Sequence, residues 1–204
     1  MKSVLKTAAF LLALSLLAGG IALRPIVQRG ISTRVEPTAL EAFLARRMRH
    51  LAVPRSARAA RNPVPASDDV LKRARSHFAD HCAYCHGNDG RGQTVIGQNL
   101  YPKAPNMSSP GTQQLSDGEI FYIIENGVRL TGMPGWGEVG NHDATESWEL
   151  VHFIRHLPHM TQDELNEMES MNPKSRSEFE EEEQMRRFLA GEDVKASGSG
   201  RRDN

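Results

Sequence analysis

The only two cysteines of the 204-residue chain stand three positions apart, in Cys82-Ala83-Tyr84-Cys85-His86. On one turn of helix, two thiols at that spacing can each form a thioether with one of a porphyrin's two vinyl groups. The histidine that follows then lies under the iron. The motif predicts one covalently attached haem c, with Cys82 and Cys85 as attachment points and His86 as the proximal ligand. Two other chemistries of paired cysteines fit less well. A structural zinc site needs two more ligands at matching spacing, and the chain has no second cysteine pair. A thioredoxin-type redox pair belongs in a βαβ setting, whereas the flanking sequence is helical and loop-rich.

An iron held by His86 needs a sixth ligand or an open face. Met133 lies 47 residues after His86, within Thr131-Gly132-Met133-Pro134-Gly135-Trp136-Gly137. Helix cannot persist through that many Gly and Pro residues, so Met133 sits on a turn. Methionine is ordinarily core filler, but a Gly/Pro turn between two helices can hold a thioether over the open face of a haem. Met107 is the rival, only 21 residues from His86 on the intervening loop. His152, His156 and His159 fall near a helix end and read as surface residues. Ligation by His86 and Met133 implies a raised reduction potential.

Three helices must position these groups. Ser67 or Asp68 can cap a helix to about His81, with Val70, Leu71, Ala74 and Phe78 on one face. Ser116-Asp117-Gly118-Glu119 is a capping box that opens a helix ending at Gly127. Asp143 to Glu146 reads as a further cap, opening a helix to about Leu157 with Trp148, Val151 and Ile154 on one face. Between the first two helices, a segment from Gly87 to about Leu115 is rich in Gly, Pro, Asn and Ser and has no periodicity. A loop of that length in a compact domain implies something to wrap, and Pro102 and Pro105 mark a stretch whose carbonyls are candidates to accept a hydrogen bond from Nδ1 of His86.

The rest of the chain surrounds that domain. Lys2 and Lys6 precede an uncharged run of seventeen residues, Thr7 to Leu23, an export element of charged and apolar regions. It reads as a retained anchor, at the short end of what spans a bilayer; a removable signal peptide cleaved near Gly20-Ile21-Ala22 is the alternative. From Arg24 to Arg61 there are nine arginines and two glutamates. Within that stretch Leu40, Phe43, Leu44, Met48 and Leu51 form the apolar stripe of a short helix, suited to a lipid surface or to packing on the domain or a partner. Residues 52–67 read as an extended linker. After Thr161 the chain is polar and acidic, with a helix expected over Ser177 to Leu189 and disorder from Ala196 to Asn204. Basic and acidic residues balance at 25 each, so nothing points to nucleic acid, and two cysteines exclude a disulfide scaffold.

Residues 67–160 resemble a class I cytochrome c domain, a monohaem and bacterial type. The resemblance rests on Ala74 and Phe78 ahead of Cys82-Ala83-Tyr84-Cys85-His86-Gly87, the loop prolines, the helix Leu115 to Gly127, Gly132-Met133-Pro134, and the last helix with Leu150 and Phe153. It implies an all-α cytochrome c fold: three main helices wrapped around a covalently attached haem, the first and last crossing where Ala74 and Phe78 meet Leu150 and Phe153. The expected organisation is a signal or anchor helix over 1–23, an amphipathic helix and Pro/Arg-rich linker over 24–66, the cytochrome domain over 67–160, and an acidic, partly disordered tail over 161–204. The expected function is single-electron transfer without catalysis, on the periplasmic side of the bacterial inner membrane, anchored by the N-terminal helix. Redox proteins and the membrane are the expected partners, with no small-molecule substrate. Two alternatives stand beside it: a cytochrome subunit of a larger respiratory or dehydrogenase complex, and a peroxidase or gas-binding haem enzyme with an open sixth position.

Overall fold

Ser67 fixes the start of the first domain helix. In the computed structural model, which describes residues 2–30, 32–137 and 144–190, its side chain accepts the Val70 N–H at 3.2 Å. Asp68 and Asp69 follow in the first turn of that helix, Asp68–His77, where carboxylates suit the positive end of the helix dipole. The chain labels for the N-terminal elements are α1 (Lys2–Arg29), α2 (Ala39–Ala52) and α3 (Arg55–Ala59), which makes Asp68–His77 α4. It does not run regularly to His81. One π turn, Phe78–Cys82, is followed by the short α5, Ala83–His86. A π turn adds residues to one turn of helix and re-aims the side chains after it, a distortion frequent at functional sites.

The other two main helices begin and end as their residues dictate. Ser116 and Glu119 form both bonds of a capping box on α8, Asp117–Asn126, which stops at Gly127. The last, α9, spans Thr145–His156 and passes into a 3-10 turn, Leu157–His159. Its cap residue Ala144 makes no side-chain bond, and Asp143, expected to cap it, lies outside the described residues. Ala74 and Phe78 pack against Leu150 and Phe153, all nearly inaccessible to solvent. The Phe78 and Phe153 rings meet at 4.8 Å, tilted by 50°, a geometry aromatic pairs favour. Against α9, α8 contributes Ile120 and Ile124 to the core, and Phe121 stacks on Trp148 at 3.9 Å. The loop between α5 and α8 holds two short helices that the sequence pattern did not announce, α6 (Val95–Asn99) and α7 (Pro110–Gln113).

The segment read as a linker is fastened along the domain. Val53 is buried, and Asn62 donates to the Trp148 carbonyl at 2.9 Å. His152 Nε2 lies 2.8 Å from the Val64 carbonyl, and Ser116 donates to the Arg58 carbonyl at 2.9 Å. Gly118 permits the closest approach: a Cβ there would stand 1.9 Å from the Ala57 carbonyl oxygen. Residues 53–64 therefore form a strap over α8 and α9.

Packing also continues past residue 160, where a polar tail was expected to begin. Helix α10, Gln162–Glu169, carries Met168, which is fully buried. Its Glu164 meets Arg75 at 3.1 Å and His156 at 2.9 Å, and Glu167 also pairs with Arg75. Helix α11, Arg176–Leu189, buries none of its residues; residues 196–204 lie outside the described ones. At the other end, α1 leaves Phe10, Leu12, Leu16 and Ile21 exposed. Among the described residues no helix is long and apolar enough to cross a membrane.

Candidate functional site

Cys82 closes the π turn, and Cys85 and His86 lie on α5. The distortion of the helix thus falls on the residues that the sequence singled out. Gly87 stops the helix with its N–H on the Ala83 carbonyl at 2.7 Å. The loop then folds back over the motif's carbonyls. The Gly92 N–H donates to the His86 carbonyl at 2.6 Å, and the Thr94 hydroxyl to the Cys85 carbonyl at 3.0 Å. Thr94 also caps α6 by accepting the Gly97 N–H. Gly97 has to be small, because a Cβ would stand 2.2 Å from the Cys85 carbonyl oxygen. Thr94 and Gly97 hold the motif in place, a role that the sequence reading missed.

Cys82 and Cys85 form no disulfide with each other. Burial, with Cys85 beside it, pushes the Cys82 thiol up to about 12, and burial raises Cys85 as well. Among the described residues no group of three or more His, Cys, Asp or Glu side chains is placed to hold a metal ion.

His86 shows the opposite behaviour. Burial lowers its pKa, which keeps the imidazole in the neutral form that ligates metals. Its Nδ1 is buried and has no hydrogen-bond partner among the described residues. The hydrogen bond expected from Nδ1 to a carbonyl of the Pro102 to Pro105 loop is not made, and the Phe78 ring lies 6.5 Å from the imidazole. An orphaned buried nitrogen is costly and calls for an explanation. A neutral imidazole directly after two half-buried cysteines on one stretch of helix fits a covalently held haem, with the histidine at iron.

Met133 lies on a turn closed on itself and bonded back to α8 at its C-terminal foot. Trp136 and Gly137 donate to the Ile124 and Glu125 carbonyls, each at 3.0 Å, and Val128 donates to the Met133 carbonyl at 3.1 Å. The Thr131 hydroxyl accepts the Met133 N–H at 3.1 Å. Trp136 presents its edge to His81 at 5.6 Å, one residue before Cys82. The turn and the motif are neighbours. Met107, by contrast, is buried in the hydrophobic core, and its backbone is bonded to Gly90 and Gln113. His152 and His156 are half-buried and engaged with the Val64 carbonyl and Glu164, so they are not the free surface residues expected; their partners come from distant or later segments that local pattern does not reveal.

Residues 69–154 match the model of a family described as cytochrome C oxidase, cbb3-type, subunit III. No curated protein matches the chain. The family match identifies a c-type cytochrome domain within the all-α fold described above, and a domain of this kind binds haem c covalently.

Proposed function

Starting from a c-type cytochrome domain that transfers electrons through haem, we propose that this chain is a single-electron carrier with His86 and Met133 as its two iron ligands. The observation that carries the reading is the pairing of a His86 imidazole that burial keeps neutral, directly after Cys85, with a Met133 turn bonded to α8 and neighbouring the motif through Trp136 and His81. When bound, the haem supplies an iron that alternates between ferrous and ferric states. Cys82 and Cys85 would hold its edge through thioethers, and His86 would offer Nε2. Met133 would offer its thioether from a turn whose backbone is already fixed, so the ligand needs little reorganisation when the charge changes. Phe78, Phe153 and Ile124 keep water from the interior side. Were His86 and Met133 both to hold the iron, no substrate would reach it.

We place the domain on the periplasmic side of the bacterial inner membrane, with α1 as its anchor. The support is the uncharged run Thr7 to Leu23, the exposure of the apolar side chains described on α1, and the need to attach haem c outside the cytoplasm. A second reading, a subunit of a respiratory complex, is favoured by one observation: the matching family is described by an oxidase subunit. Redox titration of the purified holoprotein tests the carrier. A reversible one-electron couple with low-spin iron in both states and no carbon monoxide binding is expected. A high-spin ferric protein that binds carbon monoxide rapidly would establish an open-site haem enzyme instead.

A further inference from the structure

Helix α2 has two working faces. Its half-buried or buried positions, Ala42 and Arg49 with Val53 just beyond, recur at helical spacing and turn toward the haem domain. Contacts along that side are specific. Tyr101 donates to Glu41 and Lys103 to Glu36, both from the loop that wraps the motif. His50 Nδ1 meets the buried Glu119 at 2.9 Å, and Arg58 donates to His50 Nε2 at 3.1 Å. Diametrically opposite lie Leu40, Leu44 and Leu51, flanked by Phe43 and Met48, all five exposed. None of the helix's own residues is buried.

The charges sort in the same way. Glu36 and Glu41, the only carboxylates between Arg24 and Arg61, are both taken up by the domain. Arg24, Arg34, Arg46, Arg47 and Arg55 remain exposed. Arg47 projects from within the apolar face, its guanidinium 5.4 Å from the centre of the Phe43 ring, as a cation does when its stem lies on apolar surface and its head reaches for phosphate. A leucine-rich face interleaved with arginine and stripped of free acid complements an anionic lipid surface rather than a protein partner of mixed charge.

We infer that α2 lies flat on the anionic surface of the bilayer and carries the haem domain on its opposite face, with the Tyr101 to Lys103 loop toward the membrane. The inference rests on the anchor reading in that α1, only nine residues upstream, delivers α2 to that surface. It goes further by fixing which side of the domain faces lipid. The domain is then held in one pose rather than swinging on a tether, and Tyr84 and the Met133 turn are left to meet partners.

Hydrogen exchange of the full-length holoprotein tests it, in detergent, in phosphatidylcholine vesicles and in vesicles containing phosphatidylglycerol. Amides of 39–52 should exchange more slowly with phosphatidylglycerol than in detergent, and each arginine should contribute about fivefold to the anionic preference at low salt. The protection should weaken as salt rises. A Leu44→Glu, Leu51→Glu double variant should lose it while 2–29 stays protected, and should keep its haem spectrum because both leucines are exposed. If 39–52 exchanges as in detergent while 2–29 is protected, the inference fails and the anchor stands. If 2–29 is unprotected but 39–52 is slowed, the anchor fails and α2 still binds lipid. If neither is slowed, both fall. Protection that appears only with protein concentration or an added partner would assign the face to protein and overturn the inference.

Discussion

Glu119 does two jobs with one side chain. Its carboxylate accepts the Ser116 N–H as the second half of a capping box, meets His50 on α2, and does so from a buried position. Burial alone would raise its pKa. The Ser116 N–H and hydroxyl together with His50 outweigh that and hold it below the ordinary carboxylate value. A group with a depressed folded pKa stabilises the fold fully above its unfolded value of about 4.3 and loses that contribution as pH falls through the folded one. Glu119→Gln should therefore cost about 1–3 kcal/mol near neutral pH, and the deficit should shrink in acid. Denaturant titrations of both proteins across pH check this; a deficit that grows in acid would contradict it. At the same scale, the cysteine pair and its histidine were readable from type and spacing alone. The orphaned Nδ1 of His86 was not, because it depends on where a loop fifteen or so residues away places its own donors and acceptors.

At the scale of elements, local signals gave local structure. Ser67, Ser116 and Gly127 mark helix ends that a reader of the chain can place, since a cap bonds within its own first turn. The strap over 53–64 and the docking of α10 had no such signal. Asn62 and Trp148 are 86 positions apart, and Arg75 and Glu167 are 92 apart; neither pair has any pattern in sequence. The π turn escaped for a different reason: helix periodicity continues through it, and only the register shifts. Helix α10 offers a direct check of where the domain ends. Met168 is fully buried against the core, so Met168→Ala should cost about 2–5 kcal/mol as a large-to-small core substitution. A change within error of zero in thermal unfolding would return α10 to the status of a loose tail.

At the scale of the molecule, the chain is a layered device. An apolar helix precedes a helix with one lipid-suited face, a strap binds that helix to α8 and α9, and the domain presents its cysteine-histidine motif beside the Met133 turn. Acidic residues cluster in α10 and α11 at the far end of the sequence, where α11 exposes Phe179, Met185 and Phe188. Held from both sides by this one chain, as we propose, the haem would serve as a carrier of electrons instead of a site for substrate. The weak red absorption band of methionine-ligated ferric haem, recorded for the wild-type holoprotein and for Met133→Ala, tests it most directly. The band should be present in the wild type and absent from the variant, with the reduction potential lower in Met133→Ala. A wild type without the band, or a variant that retains it, would contradict the assignment of Met133.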